Sequence, residues 1–132
     1  YSAQFSIPFI VAATLIRSRF TLRELESTAL KDPKILDLAL KVNYDIDATS
    51  LYPQNYSGKL NVLLKTGETL ETFIASPKGS KENPMTELEI KEKFITNSSL
   101  AKSKIICSQA FNLITNLDSL KSMAPLHEAL WS

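Results

Sequence analysis

Few side chains in this sequence combine a type and a spacing that could support catalysis. The sequence has one histidine, His127, and one cysteine, Cys107. A single histidine without a second histidine or a nearby cysteine does not make a metal site. Cys107 falls on the apolar stripe of a predicted helix, where a cysteine usually packs as a small hydrophobic residue. The residues therefore predict no catalytic group, no metal ligand and no disulfide.

Two pairs of closely spaced carboxylates could share acid–base work, because neighbouring acids acquire different pKa values when they are buried. The pairs are Glu68 with Glu71, and Asp45 with Asp47. Both lie in alternating segments, at the polar positions typical of a solvated strand face. The loop 78–81 could likewise cradle an anion, but it lacks the glycine and lysine spacing of a phosphate-binding loop. We interpret all three features as exposed polar surface.

The composition is that of an ordinary globular domain. The 132 residues can form one domain with its own core, and the 44% hydrophobic and 22% charged content is typical of soluble proteins. The net charge of +1, without a basic stripe, argues against nucleic acid and membrane partners. The longest apolar run, 7–16, is about half the length of a membrane span. We expect a single domain over 1–132 in a reducing compartment, the cytoplasm.

Capping residues divide the sequence into predicted helices. Ser6 suits the N-cap position, and Pro8 falls in the first turn, where its missing amide costs nothing. The helix that follows is apolar on almost every side, and such a helix is normally buried on all sides. Because the sequence also begins with Tyr1 rather than methionine, we expect a piece of a longer polypeptide. Further helices are predicted over 21–31 and 87–97, where Thr and Glu have capping-box spacing, and over 33–42, a long segment after 99, and 123–130.

Alternating apolar and polar residues predict strands over 42–47, 58–65 and 68–75. The last two are joined by a two-residue turn, Thr66-Gly67, in which glycine supplies a positive φ. The resulting fold class is α+β, with a small antiparallel sheet of about three to four strands packed against several helices.

Four segments, in order, resemble the MmgE/PrpD family. The first is Phe5-Ser6-Ile7-Pro8-Phe9 and the apolar helix after it, which is similar to the family's Phe-Ser-Leu-Pro-Tyr segment. The helix from Asp32-Pro33 to Val42 and the strand pair 60–64 and 70–74 also look like the family. The last segment is 77–94, where Asn-Pro-Met-Thr leads into a helix that carries Lys93-Phe94. The resemblance covers nearly the whole sequence.

The resemblance implies a role as well as a fold. The family includes 2-methylcitrate dehydratases, cis-aconitate decarboxylases and iminodisuccinate epimerases, which act on small di- or tricarboxylic acids without a redox cofactor. Its enzymes pair a large helical domain with a smaller α+β lid, and this sequence matches the lid. The implied partners are the helical domain of the same polypeptide, a small carboxylic acid and further copies in a homo-oligomer. With no base constellation of its own, the isolated domain is expected to be inactive.

The resemblance places Ser6 and Phe9 near the substrate. The family's tyrosine is counted among the active-site residues in some members, and the corresponding residue here is Phe9. A phenylalanine keeps the ring but cannot donate a proton or a hydrogen bond. The Asp-Gly that often closes this helix is Arg17-Ser18 here. Both departures set the sequence apart from the family's decarboxylases and dehydratases.

The alternative is a self-contained, non-catalytic α+β module that binds a protein partner or a small ligand. Such a module should cover every apolar face with its own residues. A lid that is completed by another domain should instead leave apolar surface uncovered, so the two functions predict different surfaces.

Overall fold

The computed structural model describes residues 2–50 and 52–131. The chain forms two compact units that divide between Ile46 and Asp47. The first unit holds helices α1 (Ile7–Arg17), α2 (Ser27–Leu30) and α3 (Pro33–Ala39), with short 3₁₀ helices at Ser2–Phe5 and Leu22–Leu25. The second holds strands β1 (Gly58–Leu63) and β2 (Thr69–Ile74), helices α4 (Glu87–Ser98), α5 (Lys104–Thr115) and α6 (Ala124–Trp131), and a 3₁₀ helix at Leu117–Ser119. The α+β class is confirmed, and a single domain over 1–132 stays a prediction.

Helix α1 begins and ends at local signals. The Phe9 N–H donates to the Ser6 hydroxyl at 3.4 Å, which confirms the predicted cap. The helix ends at Ser18, whose φ of 55° lies in the left-handed region. Phe9 packs edge-on against Phe20, with ring centroids 6.3 Å apart. The buried core of this unit consists of Phe9, Ala12, Ala13, Ala29 and Ile35.

The predicted single helix over 21–31 is wrong in its extent. The capping box of Thr21 and Glu24 forms, but it closes only the 3₁₀ helix Leu22–Leu25. Glu26 is extended, with a ψ of 157°, and α2 begins after it. Glu26 occupies the N-cap position of α2, which has non-helical backbone angles, so the helical stretch is interrupted at this residue.

The sheet of the second unit has two antiparallel strands, not three to four, within the described residues. The pairing runs without a break from Gly58 opposite Ile74 to Leu63 opposite Thr69. Gly67 has the expected positive φ, 88°, but the predicted two-residue turn is wrong. The Leu64 N–H donates to the Glu68 carbonyl at 2.8 Å and the Gly67 N–H donates to the Leu64 carbonyl at 3.0 Å, so the connection has three residues, 65–67. The predicted strand 42–47 is not confirmed, because this segment has no strand geometry and Ile46 is 97% exposed. Alternation shows which side chains a strand would bury, but a strand also needs a neighbour to bond with.

The buried residues of the second unit lie on α5 and α6: Cys107, Ala110, Phe111 and Leu126. Helix α5 is capped by Ser103, whose hydroxyl accepts from the Ile106 N–H at 3.4 Å. The ring of Phe94, from α4, lies 5.5 Å from that of Phe111. In residues 2–50 and 52–131, no helix has the length and apolar character needed to cross a membrane.

Candidate functional site

Ser6 and Phe9 lie on the first turn of α1, where the structure brings them together. The Ser6 hydroxyl already accepts the Phe9 N–H. The Phe9 ring is 6% exposed and belongs to the core of the first unit. Both side chains therefore have structural roles in this chain, and their proximity to a substrate stays a prediction.

The strongest concentration of charge in the first unit is a group of four side chains, Arg17, Arg19, Glu24 and Asp32, which we call the arginine–carboxylate cluster. Arg17 donates to the Asp32 carboxylate at 3.1 Å and lies 4.0 Å from Glu24. Arg19 donates through Nε to Glu24 Oε1, also at 3.1 Å. Glu24 itself is fully buried. The cluster thus joins the end of α1 to the N-terminal caps of the 3₁₀ helix Leu22–Leu25 and of α3.

Hydrogen bonds determine the charge state of Glu24. Burial raises the pKa of Glu24, but bonds from the Thr21 hydroxyl, the Thr21 N–H and Arg19 outweigh it and hold the pKa below its usual value. The two Thr21 bonds are both 2.8 Å long. A carboxylate with a lowered pKa and an arginine partner is a poor general base at neutral pH, so Glu24 holds structure rather than taking a proton.

Asp32, like Glu24, is held ionised by its hydrogen bonds. The hydrogen bond from Arg17 holds the pKa of Asp32 below its usual value, and the Lys34 N–H adds a further bond as Asp32 caps α3. Both carboxylates are therefore ionised at neutral pH, and each faces an arginine. The sequence signal for Glu24 was its capping-box spacing, whereas nothing local indicated that Arg17 reaches a residue fifteen positions away.

The loop before α4 is bonded both to itself and to that helix. The Gly79 N–H donates to the Asn83 carbonyl at 2.7 Å, and the Asn83 amide donates to the Ser76 carbonyl at 3.1 Å. Lys78 pairs with Glu89 at 3.0 Å. The Thr86 N–H, followed by Lys78, lowers the pKa of Glu89 to about 2. Since Lys78 already has a carboxylate partner, the loop does not offer this charge to an anion.

The other chemically interesting residues are dispersed. Cys107 is 2% exposed, which confirms its predicted place in the core. His127 is exposed on α6, and its ring lies 6.2 Å from that of Trp131. Glu71 pairs with Lys59 at 3.0 Å, and Asp47 accepts from the Thr49 N–H and hydroxyl. Over the described ranges, no three His, Cys, Asp or Glu side chains are placed to hold a metal ion.

A shallow groove of about 700 Å³ lies between α5 and α6. Its size falls within the range of small-ligand sites, about 300–1,000 Å³. Its lining mixes apolar side chains with two amides and one carboxylate, which gives no catalytic pair. The lining residues are Ile106, Gln109, Asn112, Leu113, Pro125, Glu128 and Ala129.

The chain leaves an unusual amount of surface uncovered. Its accessible area is 10,331 Å² for a mass of 14.7 kDa. A folded monomer of this mass exposes about 6,900 Å², and two separate globules of the sizes of the two units would expose about 8,300 Å². The excess includes large apolar side chains: Phe5, Ile7, Leu15 and Leu22 in the first unit, and Leu70, Phe73, Ile74, Ile105 and Trp131 in the second. These apolar side chains are available for contact with another domain.

Comparison with known families identifies the fold. The family described as MmgE/PrpD C-terminal domain matches residues 1–112, a range that holds the first unit, both strands, α4 and most of α5. A comparison with curated proteins gave no match. Helix α6 and the α6 side of the groove lie beyond the matched range. With most of its length matched, the chain belongs to the MmgE/PrpD family, as that family's C-terminal domain.

Proposed function

We propose that this domain is the lid of an enzyme that acts on small di- or tricarboxylic acids, by dehydration, decarboxylation or epimerisation next to a carboxylate. The exposed apolar surface favours this proposal over the self-contained module, because a domain that functions alone gains nothing from apolar surface that only another domain can bury. The partner is the helical domain of the same polypeptide, and the assembled enzyme is a homo-oligomer in the cytoplasm.

The outer side of α1 is the docking surface for the helical domain. Ile7 is 49% exposed and Leu15 is 46% exposed. Burying one such side chain contributes about 1.5–3 kcal/mol, so a few of them suffice to hold a lid closed. Phe9 is excluded from this surface, because its ring already fills the core.

The reaction requires groups that this domain does not supply. Removing a proton beside a carboxylate builds negative charge, which needs a positioned base and cationic or hydrogen-bonding groups. The two carboxylates with arginine partners, Glu24 and Asp32, are held ionised by those partners and have structural roles. The base therefore comes from the helical domain. The lid closes the site, excludes water and contributes the turn from Ser6 to Phe9 as a wall.

The test compares this chain alone with the same chain joined to the helical domain of an MmgE/PrpD enzyme. Turnover of 2-methylcitrate, cis-aconitate and iminodisuccinate is measured for both proteins. The chain alone should convert none of them, and the joined protein should convert at least one. Turnover by the chain alone, or inactivity of a correctly folded joined protein toward small carboxylic acids, would contradict the proposal. Specific small-ligand binding in the α5–α6 groove of the chain alone would favour the module.

The proposed wall can be tested at Ser6, where capping and substrate contact can be separated. Ser6→Asn keeps a side chain that caps a helix well, whereas Ser6→Ala removes the cap, at a cost of about 1 kcal/mol. If Ser6 faces the substrate, Ser6→Asn should raise KM or lower kcat of the joined protein while thermal stability stays unchanged. If Ser6 only caps α1, Ser6→Asn should leave both kinetic constants as they are.

A further inference from the structure

Phe20 lies between α1 and the 3₁₀ helix Leu22–Leu25, at a position that is neither helix nor strand. Its ring meets the ring of Phe9 edge-on, with the ring planes at 79° and the centroids 6.3 Å apart. Such contacts have a preferred geometry, because the positive edge of one ring faces the negative face of the other. The placement of Phe20 therefore affects Phe9, which belongs to the proposed wall.

Both chain neighbours of Phe20 bond to the same carboxylate, that of Glu24. Arg19 donates to Oε1 at 3.1 Å, and Thr21 donates to Oε2 through its N–H and its hydroxyl, both at 2.8 Å. The Thr21 N–H is a backbone group, so this bond holds the main chain directly after Phe20. Because Glu24 is fully buried, water does not compete for its oxygens. The three bonds thus restrict the segment that carries the Phe20 ring.

Stability alone is a weak reason to bury the Glu24 carboxylate. Taking a charge out of water is costly, and replacing a buried ion pair by apolar side chains often leaves stability unchanged or raises it. A buried polar network whose members are all bonded does, however, fix one arrangement of the side chains around it. Both oxygens of Glu24 accept hydrogen bonds, and within residues 2–50 and 52–131 every buried side-chain nitrogen or oxygen has a partner. The network therefore suits a role in geometry.

We propose that Glu24 and Phe20 are positioning residues for the wall, an inference that rests on the proposed function. Glu24 holds the residues on either side of Phe20, and the Phe20 ring sets the place of the Phe9 ring. Phe9 in turn carries the N–H that donates to the Ser6 hydroxyl at 3.4 Å. Neither positioning residue touches the substrate. Together they place the Ser6 side chain and the first turn of α1 against the small carboxylic acid.

Asp32 offers a matched control within the arginine–carboxylate cluster. It accepts from Arg17 at 3.1 Å, the same length as the bond between Glu24 and Arg19. Asp32→Asn removes one charge, as Glu24→Gln does, and asparagine still caps a helix well. Neither Asp32 nor Arg17 is a chain neighbour of Phe20. The positioning role therefore predicts a difference between the two amide variants, which a general loosening of the unit would not produce.

The first test follows the two rings by NMR in the 132-residue chain, with circular dichroism to show that each variant is folded. The wild type and Asp32→Asn should give the same nuclear Overhauser contacts between Phe9 and Phe20. Glu24→Gln should weaken these contacts and shift the Phe9 ring resonances. Where Glu24→Gln does not fold, Arg19→Met removes the same bond from a side chain that is 57% exposed. Rings that do not respond, or that respond equally in Asp32→Asn, would overturn the proposal.

The second test measures the kinetics of the joined protein. Glu24→Gln and Phe20→Leu should each raise KM by about 10-fold, less than the roughly 100-fold loss that a 1 Å misplacement can cause. Asp32→Asn should leave KM as it is. A variant that is merely unstable would lower the active fraction, and hence the apparent kcat, with KM unchanged. An inactive wild-type joined protein would contradict the proposed function, whereas an active one whose KM responds to neither substitution would contradict the positioning alone.

Discussion

Replacing Glu24 by glutamine should destabilise the chain by about 1.5–2 kcal/mol at neutral pH. The substitution keeps the shape of the side chain and removes its charge. Oε2 of Glu24 accepts the N–H and the hydroxyl of Thr21, both at 2.8 Å, and Oε1 accepts from Arg19 at 3.1 Å. A glutamine that keeps its oxygen toward Thr21 must turn its NH₂ group toward Arg19, so two donors face each other.

The magnitude follows from these bonds. A hydrogen bond to a charged group contributes about 1.5–3 kcal/mol. The low end of this range applies to the Glu24–Arg19 bond, because the Arg19 side chain is 57% exposed. Water can therefore hydrogen-bond to Arg19 when the carboxylate is gone. Arg17 keeps Asp32 at 3.1 Å and contributes little to the loss. Glu24→Ala also removes both Thr21 bonds and the capping box, at a further cost of about 1 kcal/mol, so it should reach about 3 kcal/mol.

The effect should depend on pH in a direction that the bonds determine. Because the pKa of Glu24 is lower in the folded chain than its ordinary value of 4.5, its carboxylate stabilises the fold above that pH. This stabilisation fades as the pH falls through the lowered, folded-state pKa. The gap between wild type and Glu24→Gln should therefore be full at neutral pH and shrink in acid. A packing defect would instead persist at every pH.

The assay is urea unfolding followed by circular dichroism, at neutral pH and at several acidic values. Glu26→Gln is the matched control, because Glu26 is exposed and its side chain makes no capping bond; this variant should change stability by less than about 0.5 kcal/mol. Equal stability of the two variants at neutral pH would refute the role of the buried carboxylate. A Glu24→Gln deficit that stays constant in acid would refute its electrostatic origin.

Three further outcomes are expected. Ser18→Gly should stabilise the chain by about 0.5–1 kcal/mol in urea unfolding, because glycine adopts the φ of 55° at the end of α1 without steric cost; lower stability would contradict this. Ile35→Ala should cost about 2–5 kcal/mol and Leu36→Ala much less, because Ile35 is fully buried and Leu36 is 42% exposed; equal losses would contradict the packing. The Glu89 carboxyl should titrate by NMR at about 2, so its stabilising effect is complete above pH 4.5 and lost toward about 2; titration at 4.5 would mean that its bonds do not persist in solution.

The features that the sequence predicted correctly depend on residues three or four positions apart. The caps at Ser6, Thr21 and Thr86 all form, because a capping hydroxyl needs only the backbone of the next turn. The positive φ at Gly67 was likewise predicted correctly, although the turn is one residue longer than predicted. Local chemistry decides such features before any long-range contact is made, so they can be read directly from the sequence.

Two of the errors concern a distant neighbour. Spacing in the helix from Pro33 predicts that four residues face inward together: Ile35, Leu36, Ala39 and Leu40. Ala39 does pack against the core. Ile35 is fully buried, whereas Leu36 is 42% and Leu40 is 86% exposed, because the first unit has material to cover only one side of α3. The strand over 42–47 failed similarly, since its alternation needs a partner strand that periodicity cannot supply.

The burial of Phe9 bears on how the chain departs from its family's pattern. A phenol at this position would add a hydroxyl to a core of alanines, leucines, Ile35 and Phe20, and a buried hydroxyl without a partner costs about 1–3 kcal/mol. Phenylalanine fills the same space without that requirement. The change therefore suits a chain whose α1 contributes shape and apolar surface, with the acid–base chemistry left to the domain that covers it. The uncovered side chains of α1 and the buried ring of Phe9 thus support the proposed division of labour, in which this domain would close a site and another domain would carry out the reaction.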